Sequence, residues 1–152
     1  MPQWNQIVSS LQRLGIPVNE DFKVSPVRGG DNSSAWRLRS AGKSWFLKTG
    51  AAQSLDAFEA EAEGLRELRG ACAVRVPESF ASCAAGDDAC LLLEWIEFGQ
   101  KHGNTDKMLG ELLAAQHRCT SEHFGWHRDN TIGSTPQPNT AIVSPVLCSA
   151  PR

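Results

Sequence analysis

Ser44-Trp45-Phe46-Leu47-Lys48-Thr49, a short loop, and then Asp56-Ala57-Phe58-Glu59-Ala60-Glu61-Ala62-Glu63-Gly64-Leu65-Arg66-Glu67-Leu68 form the stretch that decides the fold. Its first part is an apolar, strand-favouring run interrupted by Lys48. A lysine is rarely buried unless it is paired. The second part offers the partner. Asp56 is a good N-cap, and Glu59 three residues on completes a start resembling a capping box. Phe58, Ala62, Leu65 and Leu68 recur at helical spacing. At about 100° per residue, Glu61 falls inside that apolar stripe, whereas Glu59 and Glu63 fall away from it. One lysine and one glutamate are therefore aimed inward from adjacent elements. A strand lysine and a helix glutamate so placed can hold nucleotide phosphates. The plainer reading of the same pair is an edge lysine and a solvated glutamate.

Composition bounds the rest. The chain has 152 residues, 41% of them hydrophobic and 21% charged, with a formal charge of -2. That suffices for one domain with a real core. The near-neutral balance gives no electrostatic footprint for nucleic acid, and no stretch is apolar enough to cross a bilayer. The opening Met1-Pro2-Gln3-Trp4-Asn5 lacks the regions of a signal peptide, so a cytoplasmic location is expected. Five cysteines, Cys72, Cys83, Cys90, Cys119 and Cys148, include no Cys-x-x-Cys pair and read as reduced thiols.

Working outward, Trp4, Ile7, Val8, Leu11 and Leu14 lie on one face of a lead helix, with Pro2 at its start and Gly15 as C-cap. Phe22 to Val27 reads as a strand, and Ala35 to Arg39 as the next. Between them, Gly29-Gly30-Asp31-Asn32 is a good hairpin loop that could also lay backbone N–H groups over phosphates. The Glu61 helix ends near Gly70. Val74 to Phe80 reads as a short strand that Pro77 confines to an edge. Gly86-Asp87-Asp88 is a turn, and Cys90 to Leu93 is a strand buried on both faces. Thr105 to Cys119 is a helix whose apolar face carries Met108, Leu109, Leu112 and Ala115. Gln116 falls on that same side and would need partners if buried.

A more specific pattern lies downstream. Gly125-Trp126-His127-Arg128-Asp129-Asn130-Thr131-Ile132-Gly133-Ser134-Thr135-Pro136-Gln137-Pro138-Asn139 resembles the signature segment of the fructosamine/ketosamine kinase family. Gly29-Gly30-Asp31, Phe46-Leu47-Lys48, Phe58-Glu59-Ala60-Glu61, Val76-Pro77, Leu92-Leu93-Glu94 and Ala115-Gln116-His117 agree in order and spacing. The resemblance covers roughly residues 1 to 140. It implies an α+β fold: a protein-kinase-like N-terminal lobe over residues 1–98, a hinge and the start of a helical C-terminal lobe over 99–139, and a divergent tail over 140–152. It implies that Lys48 contacts the α- and β-phosphates of ATP, that Glu61 orients Lys48, and that Gly29 and Gly30 shape the phosphate-covering loop. Glu94, Trp95 and Ile96 would form the adenine-binding hinge. The implied reaction is transfer of the γ-phosphate of ATP to the sugar 3-hydroxyl of a glycated amine or protein, a step in deglycation repair.

The resemblance also implies parts that this sequence does not show. The family's catalytic aspartate and its Mg²⁺ ligands lie beyond the Pro136-Gln137-Pro138-Asn139 segment, so no catalytic or metal-binding residue is assigned here. The expectation is a truncated product, inactive alone, whose Thr105-to-Cys119 helix and hinge are left exposed and prone to self-association. Other readings stand beside this one. A non-catalytic nucleotide-binding or interaction module would use the same Lys48 and Glu61. His117, Cys119, His123 and His127 could be read as a zinc site, although no cysteine pair supports it. Asp129 reads as a turn former rather than a base.

Overall fold

The computed structural model describes residues 1–28, 33–133 and 135–139. The expected Gly29-Gly30 loop and the 140–152 tail lie outside the described residues. The fold is α+β, as expected. A five-stranded antiparallel sheet has the order β1-β2-β3-β5-β4, with β1 Lys23–Val27, β2 Ser34–Ser40, β3 Lys43–Ala51, β4 Ser79–Ala85 and β5 Asp88–Glu94. Helix α1 (Trp4–Arg13) covers one face and α2 (Leu55–Gly70) the other. Helix α3 (Thr105–Gln116) and a small hairpin of β6 (Asn130–Ile132) and β7 (Thr135–Gln137) follow.

Alternation along the strands sorts side chains between two cores. Trp45 and Leu47 of β3, with Cys90 and Leu92 of β5, pack under Ile7, Val8 and Leu11 of α1. Phe46 of β3, with Ala89, Leu91 and Leu93 of β5, packs under Phe58 and Ala62 of α2. Strand β5 is apolar at successive positions because helices cover both its sides. Lys48 shares the α2 face with Phe46. Gly50 lets the chain leave β3 tightly: a Cβ there would come within 2.7 Å of Ser54 Oγ, in the 3-10 turn Ala52–Ser54 that feeds α2.

Several boundaries differ from expectation. Asp56 is not the N-cap of α2. The helix begins at Leu55, directly from the 3-10 turn, with Ser54 flanking it and making no side-chain cap. Asp56 lies in the first turn, where its charge complements the helix dipole. The strand expected over Val74 to Phe80 is displaced to Ser79–Ala85, although it is an edge strand as expected. Pro77 has no N–H to give, and pairing starts only where Glu94 N donates to Glu78 O at 2.8 Å. Leu14 flanks the end of α1 and is exposed, as is Leu68 near the end of α2. Helix α1 is flanked by Gln3 rather than opened by Pro2, and Gly15 takes the expected left-handed conformation (φ 81°). Helix α3 ends at Gln116, three residues early, and Met108, Leu109 and Leu112 are exposed, as expected for that face. Gln116 Nε2 donates to Leu68 O at 3.1 Å while its Oε1 is buried without a partner among the described residues.

Cys72, Cys83, Cys90 and Cys119 are free thiols, as read from the sequence. Among the described residues, no helix is long and apolar enough to cross a membrane.

The two-sided core makes a direct forecast. Leu47 is fully buried beneath α1, so Leu47→Ala should cost about 2–5 kcal/mol. Leu109→Ala, on the open face of α3, should stay within about 0.5 kcal/mol. Urea unfolding of both variants checks the contrast; equal losses would mean that the α3 face is covered.

Candidate functional site

Lys48 projects from the middle of β3 and Glu61 from the second turn of α2. Lys48 Nζ and Glu61 Oε2 are 2.5 Å apart. The side chains are 23% and 35% exposed, so the pair sits at the mouth of a cleft rather than in the core. Lys48 Nζ also lies 5.8 Å from the centroid of the Phe58 ring, whose face favours a cation. An ammonium has three donors, and Glu61 takes one of them, so Lys48 retains donors for an anion in the cleft.

That cleft is an open groove of about 1430 Å³ running along α2. Lys48, Glu61 and Ser33 lie at the sheet side; Gln116, Trp126, Asn130 and Thr131 lie at the other. Its lining carboxylates are Glu61 and Glu67. Both are engaged, Glu61 by Lys48 and Glu67 by Trp126, whose Nε1 donates at 2.6 Å.

The expected hinge residues lie outside the groove lining. Glu94 accepts from Arg75 Nη2 at 2.7 Å and from Glu78 N at 3.2 Å, and its own N–H is taken by Glu78 O. The hydrogen bonds from Arg75 and from the Glu78 backbone hold the Glu94 carboxyl below its ordinary range. Trp95 stacks on Phe46 with ring centroids 6.4 Å apart, and the Arg37 guanidinium lies 4.3 Å from its ring. Its Nε1 is buried without a partner among the described residues. Ile96 is half-buried in the chain leaving the sheet.

Sequence reasoning missed a second set of contacts. Arg128 donates to Glu63 Oε1 at 2.9 Å and to Asp56 Oδ1 at 2.5 Å. His127 Nε2 lies 2.9 Å from Glu63 Oε2. Asp56, Glu63 and Glu67 recur at helical spacing, and that acidic stripe was the available signal. Its partners lie about sixty residues away, so nothing local could pair them. Burial pushes the Glu63 carboxyl up, but the hydrogen bond from His127 and the charge and hydrogen bond of Arg128 outweigh it, leaving the carboxyl below its ordinary range. Asp129 turns out to be a tie rather than a simple turn former: its Oδ1 accepts Asn139 N at 2.7 Å, and Asn139 Nδ2 also reaches Asn130 Oδ1 at 2.9 Å. These bonds close the base of the β6–β7 hairpin. His127 is committed to Glu63, and among the described residues no three His, Cys, Asp or Glu side chains converge as metal ligands.

A lysine on the third strand of an antiparallel sheet, paired to a glutamate on the helix that covers it, is the small-lobe arrangement of the protein-kinase-like fold. Comparison with known proteins narrows the class. The family model for fructosamine kinase matches residues 3–144, and the chain belongs to that family. It is 36% identical over 138 residues to a probable ketoamine kinase of Synechocystis, covering 90% of this chain and 46% of that one. It is 34% identical to the probable ketoamine kinase YniA of Escherichia coli K12, covering 89% and 48%. It is 36% identical to the chloroplastic protein-ribulosamine 3-kinase of Oryza sativa subsp. japonica, covering 77% and 35%. The chain thus spans less than half the length of these relatives. In three dimensions it superposes on a candidate fructosamine-3-kinase of Haemophilus somnus with a TM-score of 0.80 at 21% identity, over 93% of this chain and 48% of that one.

The lowered Glu63 carboxyl fixes the sign of a pH effect. A carboxyl depressed in the folded state adds stability above its ordinary value, about 4.3, and loses that contribution as pH falls through the folded value. Glu63→Gln should therefore be less stable than the parent at pH 7, and the gap should narrow as pH falls below about 4. Urea unfolding between pH 3 and 7 measures it; a gap independent of pH would show that no charge at Glu63 is linked to folding.

Proposed function

We propose that this chain supplies the ATP-holding lobe of a ketosamine kinase. The observation that carries the reading is the 2.5 Å contact between Lys48 and Glu61 at the edge of an open groove. In this reading Lys48 contacts the α- and β-phosphates and Glu61 orients it. Gly29 and Gly30 shape the loop over the phosphates. In this reading the adenine lies outside that groove, against the backbone from Glu94 to Ile96, where the Glu94 N–H is already taken by Glu78 O. The substrate is the sugar 3-hydroxyl of a glycated amine or protein, the product marks the adduct for release, and the setting is the cytoplasm. Residues 1–98 act as the nucleotide lobe, and 99–139 as the hinge and the start of a second lobe.

Magnesium supplies charge neutralisation in reactions of this kind when it is bound. The described groove residues do not fit a site for it, because among the described residues no three His, Cys, Asp or Glu side chains converge. The 152-residue chain alone is therefore read as binding nucleotide without transferring phosphate, since positioning and charge stabilisation are nearly the whole of that catalysis.

ATP should protect the purified chain against thermal unfolding, and Lys48→Ala should abolish the protection while leaving the unliganded melting temperature within about 2 °C. Protection that survives the substitution would remove Lys48 from the site, and ketosamine-dependent ATP turnover by this chain would overturn the assignment of a binding lobe. The exposed Met108, Leu109 and Leu112 face is expected to drive self-association. Light scattering that finds only the 16.5 kDa monomer at high concentration would count against it.

A further inference from the structure

Helix α2 rests on the sheet through a narrow contact. Its buried residues are Phe58, Ala60 and Ala62, of which Phe58 and Ala62 sit in the core on the sheet, flanked by the partly buried Leu55 and Leu65. Its C-terminal half is largely exposed, and Gly64 interrupts it with a residue of low helix propensity. A helix held by so thin a stripe can roll about its axis. The Lys48–Glu61 pair depends on that roll. A single partly exposed ion pair contributes little free energy of its own, whereas several charges joined in a network can contribute more, so the Lys48–Glu61 pair alone does not fix the helix.

The contacts of residues 126–128 supply the missing constraint. Asp56 and Glu63 are seven residues apart, two turns along α2, and Arg128 reaches both. His127 adds a second bond to Glu63, and Trp126 ties Glu67 one turn further on. At 3.6 residues per turn, these three carboxylates lie roughly 120–160° around the helix from Glu61. The groove occupies the arc between. The helix is thus held on two sides, by the sheet through Phe58 and Ala62 and by the strap through Arg128. Arg128 is the most enclosed charged member of the strap, with 21% of its side chain exposed.

We infer that Arg128 is a positioning residue: by bridging Asp56 and Glu63 it fixes the roll of α2 and so holds Glu61 against Lys48. A planar guanidinium suits this role because it can donate to two carboxylates at once, which an ammonium on a single flexible stem does less well. The consequence for ligand binding rests on the reading of Lys48 and Glu61 as the phosphate-holding pair; the geometric claim does not.

The test pairs two measurements on the intact chain, for the parent, Arg128→Gln, Arg128→Lys, Glu61→Gln and the Glu61→Gln/Arg128→Gln double variant. Hydrogen exchange without nucleotide should show α2 amides opening about tenfold faster in Arg128→Gln, with β3 and β5 unchanged. Arg128→Lys, which keeps the charge and is the more secure of the two in folding, should show a smaller change in the same direction. ATP titration should show about fivefold weaker binding in Arg128→Gln, and the double variant should bind no more weakly than Glu61→Gln alone, because the effect runs through Glu61. Unchanged exchange of α2 in both Arg128 variants would overturn the inference. So would acceleration spread equally over the sheet, or additive losses of ATP affinity. If the parent binds no ATP, the phosphate reading fails, and faster exchange confined to α2 still upholds the strap.

Discussion

Lys48 meets Glu61 across the gap between β3 and α2, and much of the lobe can be understood as what that contact requires. The lysine must leave the strand on the α2 face, which the alternation Phe46, Lys48 secures. The helix must start close to the end of β3, which Gly50 allows by leaving room for Ser54. The sheet must be stiff beneath the lysine, and β3 lies at its centre, paired on one side with β2 and on the other with β5. The opposite face must be sealed, and α1 does this, tied at its start by Gln3 N donating to Asp88 Oδ2 at 2.7 Å. A weak ion pair is thus placed by a strong scaffold. The hydrophobic burial stabilises the fold, and the pair inherits its geometry.

How much of this was legible in the sequence follows from the range of each interaction. The strands and helices were readable because periodicity is local: β5 announced burial on both faces by its unbroken Cys90 to Leu93, and α2 placed Glu61 inward by spacing alone. Boundaries were harder. The Asp56 start looked right by residue type, but the capping preference lost to a 3-10 turn that already fixed the chain direction. The Val74 start failed for a different reason. Apolar character suggested a strand, yet hydrogen-bond pairing with β5 begins only beyond Pro77.

The site divided in the same way. Lys48 and Glu61 are thirteen residues apart and were found together. The strap was not, because Arg128 meets Glu63 sixty-five residues away, and an acidic stripe on a helix does not name its partner. The segment from Trp126 to Asn139 drew notice as a family signature rather than for what it touches. In the structure it does two physical things. Its first residues grip α2, and its last closes a hairpin through Asn139 on Asp129 and Asn130. A signature that looks like a string of small and amide residues is therefore a set of hydrogen-bonding partners in fixed register.

The charge arrangement around the groove bears on what can enter it. Asp56 and Glu63 share the single positive charge of Arg128, Glu63 also meets His127, and Glu67, which lines the groove, accepts the neutral indole N–H of Trp126, so the strap offsets part of the negative charge along α2. Glu61 is matched by Lys48. Without the strap, a phosphate chain approaching Lys48 would meet a helix carrying carboxylates on several sides, a repulsion that the low-dielectric walls of a cleft would strengthen. With it, that repulsion is reduced, and Lys48 keeps ammonium donors beyond the one that Glu61 takes. The strap thus acts on the electrostatics of the groove as well as on its shape. The electrostatic effect lowers the repulsion that an anion would meet at the Lys48 end.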